Sequence, residues 1–138
     1  MREYTAGKFG LRGTAYLFLV GIAAWWIPGA GHWIIGQPKR AAIIFFSIAF
    51  AFVLGIWFGS IAVIDAKTPW YWAQMLNSPA VAYLAHLSGS VYHLDSFGKP
   101  REIGEIYTSI AGMLNLLCVV NAVYTAHCGN ITKNSNLL

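Results

Sequence analysis

Two histidines, His86 and His93, stand seven residues apart in one charge-free stretch, with Ala82 four residues before the first and Gly89 four before the second. Seven residues make about two helical turns, so a continuous α-helix would carry both rings on one face, about 10 Å apart along its axis. A small residue one turn before a histidine leaves room for a flat macrocycle. Two such ligands at that separation suit separate chlorophyll, bacteriochlorophyll or haem groups better than one metal ion. Small residues are abundant in this chain, so packing or interfacial hydrogen bonding accounts for the same spacing, and no cofactor follows from the sequence with certainty.

Other polar groups point to structure more than to reaction. Asn115 and Asn121 lie inside the last apolar segment, where an amide facing lipid would go unsatisfied, so both are expected to bond other helices. Lining a transport pathway is the alternative role for this pair. Asp65, Asp95, Glu102 and Glu105 all fall at the edges of apolar segments. No His-x-x-x-His pair, nucleophile elbow or glycine-rich phosphate loop occurs. His127 beside Cys128 makes no metal site without ligands from elsewhere. The expectation is a protein that is not an enzyme and has no metal site.

The elements that must position these residues follow from composition. Of 138 residues, 57% are hydrophobic and 10% charged, against about 25% charged in soluble domains. The charges cluster and leave four uncharged stretches, 13–36, 41–64, 68–94 and 106–132, each to be weighed against the roughly 20 apolar residues of a spanning helix. The reading is an all-α, multi-pass integral membrane bundle of three to four transmembrane helices forming a single domain, 1–138. Its helices are expected at about 11–27, 41–64, 69–93 and 104–126. Nine basic residues scattered between apolar segments form no patch for nucleic acid. The two cysteines build no disulfide framework.

Segment 41–64 is the clearest span, held at its ends by Lys39 and Arg40 and by Asp65 and Lys67. The first segment breaks at Pro28, Gly29, Ala30 and Gly31. It is expected to cross before Pro28 as a retained first helix and to leave a short interfacial element at 28–38. A re-entrant hairpin that returns through the bilayer after Pro28 is disfavoured, because its returning leg would show bare backbone to lipid. Segment 69–93, broken at Asn77, Ser78 and Pro79, is either a kinked span or a helix lying against the membrane. Lys and Arg divide five to four between the two sides for four spans and six to three for three, with the N-terminus expected to be cytoplasmic.

Ala51, Gly55 and Gly59 repeat at a spacing that lets helix backbones approach closely, whether within this chain or against another subunit. The expected function is therefore that of a non-catalytic accessory or scaffolding subunit. Its partners would be the lipid bilayer and other membrane subunits or further copies of itself. A pigment- or haem-contacting subunit using His86 and His93 is the alternative, and a small transporter or channel the third.

Trp26–Arg40, WIPGAGHWIIGQPKR, resembles the glycine-rich connection of the two-transmembrane-helix domain family. Together with Glu102–Ala122, EIGEIYTSIAGMLNLLCVVNA, it makes the chain resemble an uncharacterised bacterial family of small multi-span membrane proteins. The resemblance implies a membrane location, in a bacterial inner membrane, and brings no catalytic residue. The matched positions Pro28, Gly29, Gly31, His32 and Gly36 shape the hairpin. His32 is expected to tie that turn to a neighbouring helix by a hydrogen bond.

Overall fold

The computed structural model describes residues 11–91 and 98–135, and the regular structure among them is helical. The elements are α1 (Leu11–Trp26), α2 (Ala30–Ile34), α3 (Pro38–Gly59), α4 (Trp70–Met75), α5 (Ala80–His86) and α6 (Lys99–Ser135). A 3-10 turn, Ile61–Val63, follows α3, and a π-helical turn, Leu87–Val91, continues α5. Two helices among the described residues, α3 and the Lys99–Gly129 part of α6, are long and apolar enough to cross a membrane. Only 17% and 33% of their apolar windows are buried inside the molecule, whereas the core helix of a soluble protein hides most of its apolar surface.

These two helices lie antiparallel. Gly55 meets Thr108 and the carbonyl of Gly104, and Gly59 meets Gly104 and the carbonyl of Pro100. A methyl group on Gly104 would stand 2.8 Å from the Gly55 carbonyl oxygen and 2.9 Å from the Gly59 Cα, so the backbones touch where these three residues are glycine. Helix α3 starts three residues before its expected bound because Pro38 occupies its first turn, where no amide hydrogen is needed. It stops at Gly59 because Ser60 takes φ 65 and ψ 171, a conformation outside any helix.

The remaining helices form two hairpins that enter this pair from opposite ends. Helix α1 runs down the C-terminal half of α6, with Gly21 against Val123 and a small core of Val20, Ala24, Ala122 and Ala126. At Gly29, φ +87, the chain reverses, and α2 returns along α1 with Gly31 wedged between Ala24 and Ala122. The second hairpin comes from the other end. Helix α4 follows α6 from Thr108, bonded by Gln74, to Asn115, which donates to the carbonyls of Leu76 and Asn77. Helix α5 leads back to the level of Arg101 at the start of α6. The two tips meet: Trp25 Nε1 donates to the Met75 carbonyl at 3.1 Å, and Ser78 Oγ donates to the Trp26 carbonyl at 2.9 Å.

The chain turns back at Pro28 and Gly29, and the short element expected at 28–38 holds the returning leg α2, which is covered by α1 and α6, while the Trp26 and Met75 carbonyls at the two tips receive side-chain donors. The segment expected at 69–93 breaks at Asn77, Ser78 and Pro79, as its sequence indicates. It is split into helices of six and seven residues, too short singly for the roughly 20 residues that crossing takes.

Each half of the chain therefore reads hairpin, then long helix, with the long helices pointing opposite ways. The halves share sequence. Gly36, Pro38, Ser47, Ile48 and Ala49 recur 62 positions later as Gly98, Pro100, Ser109, Ile110 and Ala111. Gly36 and Gly98 both hold a positive φ, 87 and 77, and each precedes by two residues the proline that opens a long helix.

Candidate functional site

Helix α6 carries the candidate site on one stripe. Arg101, Glu105, Thr108, Gly112, Asn115, Val119, Ala122 and Ala126 follow alternating steps of four and three, which keeps them on a single face. The stripe is polar toward the N-terminus and small and apolar toward the C-terminus. The polar half receives the second hairpin, the apolar half the first.

Gln74 is the hub of the polar half. It is fully buried and donates from Nε2 to Thr108 Oγ1 at 2.9 Å and to the Val63 carbonyl at 3.3 Å. Thr108 passes its own proton to the Gly104 carbonyl at 2.8 Å. Asn115 spends its amide hydrogens on Leu76 and Asn77 at 3.0 and 2.8 Å. These donations fix the orientation of both amides and leave Gln74 Oε1 and Asn115 Oδ1 as buried acceptors without a protein donor. Gly112 faces the Ala73 carbonyl so closely that any side chain there would strike it.

Above Gln74 the stripe opens into a cleft of about 590 Å³, lined by the loop after α3, by α5 with its π-turn, and by Arg101. Arg101 Nε donates to Glu105 Oε1 at 2.8 Å, and its Nη2 lies 3.8 Å from Asp65 Oδ2. The other Asp65 oxygen accepts the backbone N–H of Lys67 at 2.9 Å. Lys67 is exposed on the rim, while Ser88 is buried in the wall. The arrangement can hold a polar group between fixed charges and hydroxyls. Among the described residues no group of three His, Cys, Asp or Glu side chains could hold a metal ion.

His86 lines this cleft and is exposed, as is Ala82 one turn earlier. The chain passes from α-helical geometry into the π-turn Leu87–Val91 directly after His86. His93 lies outside the described residues. Gly55 and Gly59 are buried against α6, and Ala51 is half-buried on α3. Asn115 sits at the junction of the hairpin tips. Asn121 is further along, where its Oδ1 stands 3.2 Å from His32 Nε2. His32 is 1% exposed, and this contact ties the first hairpin to the exposed Asn121 on α6. Pro28 and Gly29 form the tip of that hairpin, Gly31 its closest approach to α6, and Gly36 its exit.

Sequence reasoning missed Gln74, Thr108 and the Asp65, Arg101 and Glu105 group. The four-three spacing of polar and small residues from Arg101 to Ala126 was the signal that could have found α6's share of it. Nothing local marks Gln74, whose partners are 11 and 34 positions away.

No curated protein and no solved structure matches the chain. Residues 19–135 match a family of unknown function, DUF6677. That stretch runs from the second half of α1 to the end of α6 and includes the cleft, and the chain belongs to this family.

Proposed function

We propose that the chain is a multi-pass membrane protein that acts as a non-catalytic accessory subunit, with its large apolar side chains turned outward to lipid and to other membrane helices. The observation that carries this is the inverted distribution of side chains. Glycines, alanines and amides are inside, whereas Ile43, Phe46, Phe50, Val53 and Trp57 form an exposed stripe along α3, Trp57 at 81%. In water such a surface would drive association or aggregation. Against hydrocarbon it costs nothing. The interior amides and hydroxyls serve to hold the hairpins in place, which is a supporting role rather than a reactive one.

In this reading α3 and α6 cross the bilayer and each hairpin reaches part of the way from its own side. Arg2, Lys8, Arg12, Lys39, Arg40 and Lys133 then share the side of both termini, against Lys67, Lys99 and Arg101 opposite. Six against three favours cytoplasmic termini, in a bacterial inner membrane. Gentle solubilisation and gel filtration, followed at protein and visible wavelengths, tests the function. A large colourless peak with reproducible partner subunits is expected, and a small peak holding this chain alone would sink the proposal. One observation favours a second reading: His86 borders the cleft beside Ala82 and Gly89, and a methyl group on Gly89 would meet nothing within 4 Å. A coloured peak that bleaches in His86→Ala would establish pigment or haem contact instead.

A further inference from the structure

We propose that the cleft between the π-turn and the start of α6 binds the phosphate of a phospholipid headgroup, with Lys67 and the hydroxyls of Ser88 and Ser90 as its donors. This rests on the membrane reading above, and four observations lead to it.

The first is position. The cleft sits where α3 has ended and α6 begins, so its loop and its charged residues lie at the end of the apolar length of both helices. In a bilayer that level is the headgroup region.

The second is the balance of donors and acceptors. Asp65 is the carboxylate that lines the cleft, and both of its oxygens already face a donor, the Lys67 amide and Arg101. Its repulsion of an anion is thereby reduced, and because Arg101 is shared between Asp65 and Glu105, the positive charge left for a ligand is that of Lys67. The Lys67 ammonium makes no ion pair among the described residues and stands free to meet a phosphate oxygen. A lysine ammonium with hydroxyl donors is a common phosphate-binding set.

The third is the local backbone. A π-helical turn is a rare irregularity that tends to sit at functional places. Here it carries Ser88, Gly89 and Ser90, all three on the cleft wall. The volume, about 590 Å³, falls within the usual range for small-molecule sites.

The fourth separates a lipid from a soluble phosphate. Beside the polar cleft the outer faces of α4 and α5 expose Trp70, Trp72 and Tyr83, at 48%, 76% and 64%. Aromatic side chains of this kind settle at the membrane interface and flank acyl chains. Only a ligand with a polar head and an apolar tail uses both surfaces.

The test takes the full chain, delipidated in mild detergent, and measures its binding of short-chain phosphatidylglycerol by native mass spectrometry and by the shift in unfolding midpoint. Binding is expected for the natural chain, about tenfold weaker in Lys67→Gln through loss of one charge-assisted hydrogen bond. It should be kept in Lys67→Arg and in Lys39→Gln at the opposite end. Equal binding of short-chain diacylglycerol, which lacks phosphate, would overturn the proposal, as would a Lys67→Gln chain that binds like the natural one. An equal shift with inorganic phosphate would overturn the lipid assignment in favour of a soluble anion. Lys67 is exposed, so its variants should fold, and Ser90→Ala offers a second exposed position with the same expected direction. If alkaline carbonate strips the protein from membranes, the membrane reading itself fails. A protein that stays embedded yet ignores phosphate fails only the cleft.

Discussion

Single side chains hold this fold together through a small number of long-range bonds. Asn115 is the clearest case, because its two donations cover the carbonyls left open where α4 ends. Asn115→Leu keeps the volume roughly constant and removes both donors, and an unsatisfied buried carbonyl costs about 1–3 kcal/mol. The thermal midpoint in detergent should fall accordingly, and further than in Asn121→Leu, whose site is exposed. A glycine comparison isolates close approach from helix propensity. Gly104→Ala would press a methyl against the Gly55 carbonyl and the Gly59 Cα and should destabilise by about 1–3 kcal/mol. Gly129→Ala meets nothing within 4 Å and should gain up to about 1 kcal/mol from propensity. Both follow from chemical-denaturant titration of the two variants side by side. At this scale the sequence was legible only in part. The two asparagines read correctly as odd within an apolar helix, but their partners, two carbonyls for Asn115 and the His32 ring for Asn121, lie 38, 39 and 89 positions away.

Helices and their ends were more uneven. The long spans could be read from uninterrupted apolar length, since charges on either side of 41–64 bound it and nothing else competes. Their limits moved by a few residues for local reasons, a proline at the front of α3 and a serine in an unusual conformation at its back. That serine gives a test. Ser60 holds φ 65 and ψ 171, a region open mainly to glycine, where another residue stores about 1–3 kcal/mol of strain. Ser60→Gly should therefore stabilise the protein by about 1 kcal/mol after the added freedom of the unfolded chain is subtracted, as a small rise in unfolding midpoint. The breaks at Pro28–Gly31 and Asn77–Pro79 were legible, and so was the tie from His32, but not that each break turns the chain back along a long helix. Whether an apolar segment turns or crosses depends on donors on remote elements. Ser78 and Trp25 are two of these, each about 50 positions from its acceptor.

For the whole molecule, two opposed halves built on the same plan make a definite prediction about sidedness. In a chain carrying Cys118→Ala and Cys128→Ala, Lys39→Cys and Lys67→Cys should react with a membrane-impermeant maleimide from opposite sides. Lys133→Cys should react from the same side as Lys39→Cys, and labelling of positions 39 and 67 from one side would refute the crossing of α3. The composition made the two candidate membrane spans readable from the outset, because so few charges leave long apolar segments between them. The opposed arrangement of the halves was hidden, since five matching residues in a background rich in Gly, Ala and Ile carry little weight until the chain directions are known. The meeting of the two tips also bears on biogenesis. When ribosomal synthesis has delivered only the first 60 residues, the Trp26 carbonyl still lacks Ser78, and His32 still lacks Asn121. In the membrane reading proposed above, a nascent chain stalled at that length holds the first hairpin with its turn uncovered and should be a preferred target of membrane quality-control proteases.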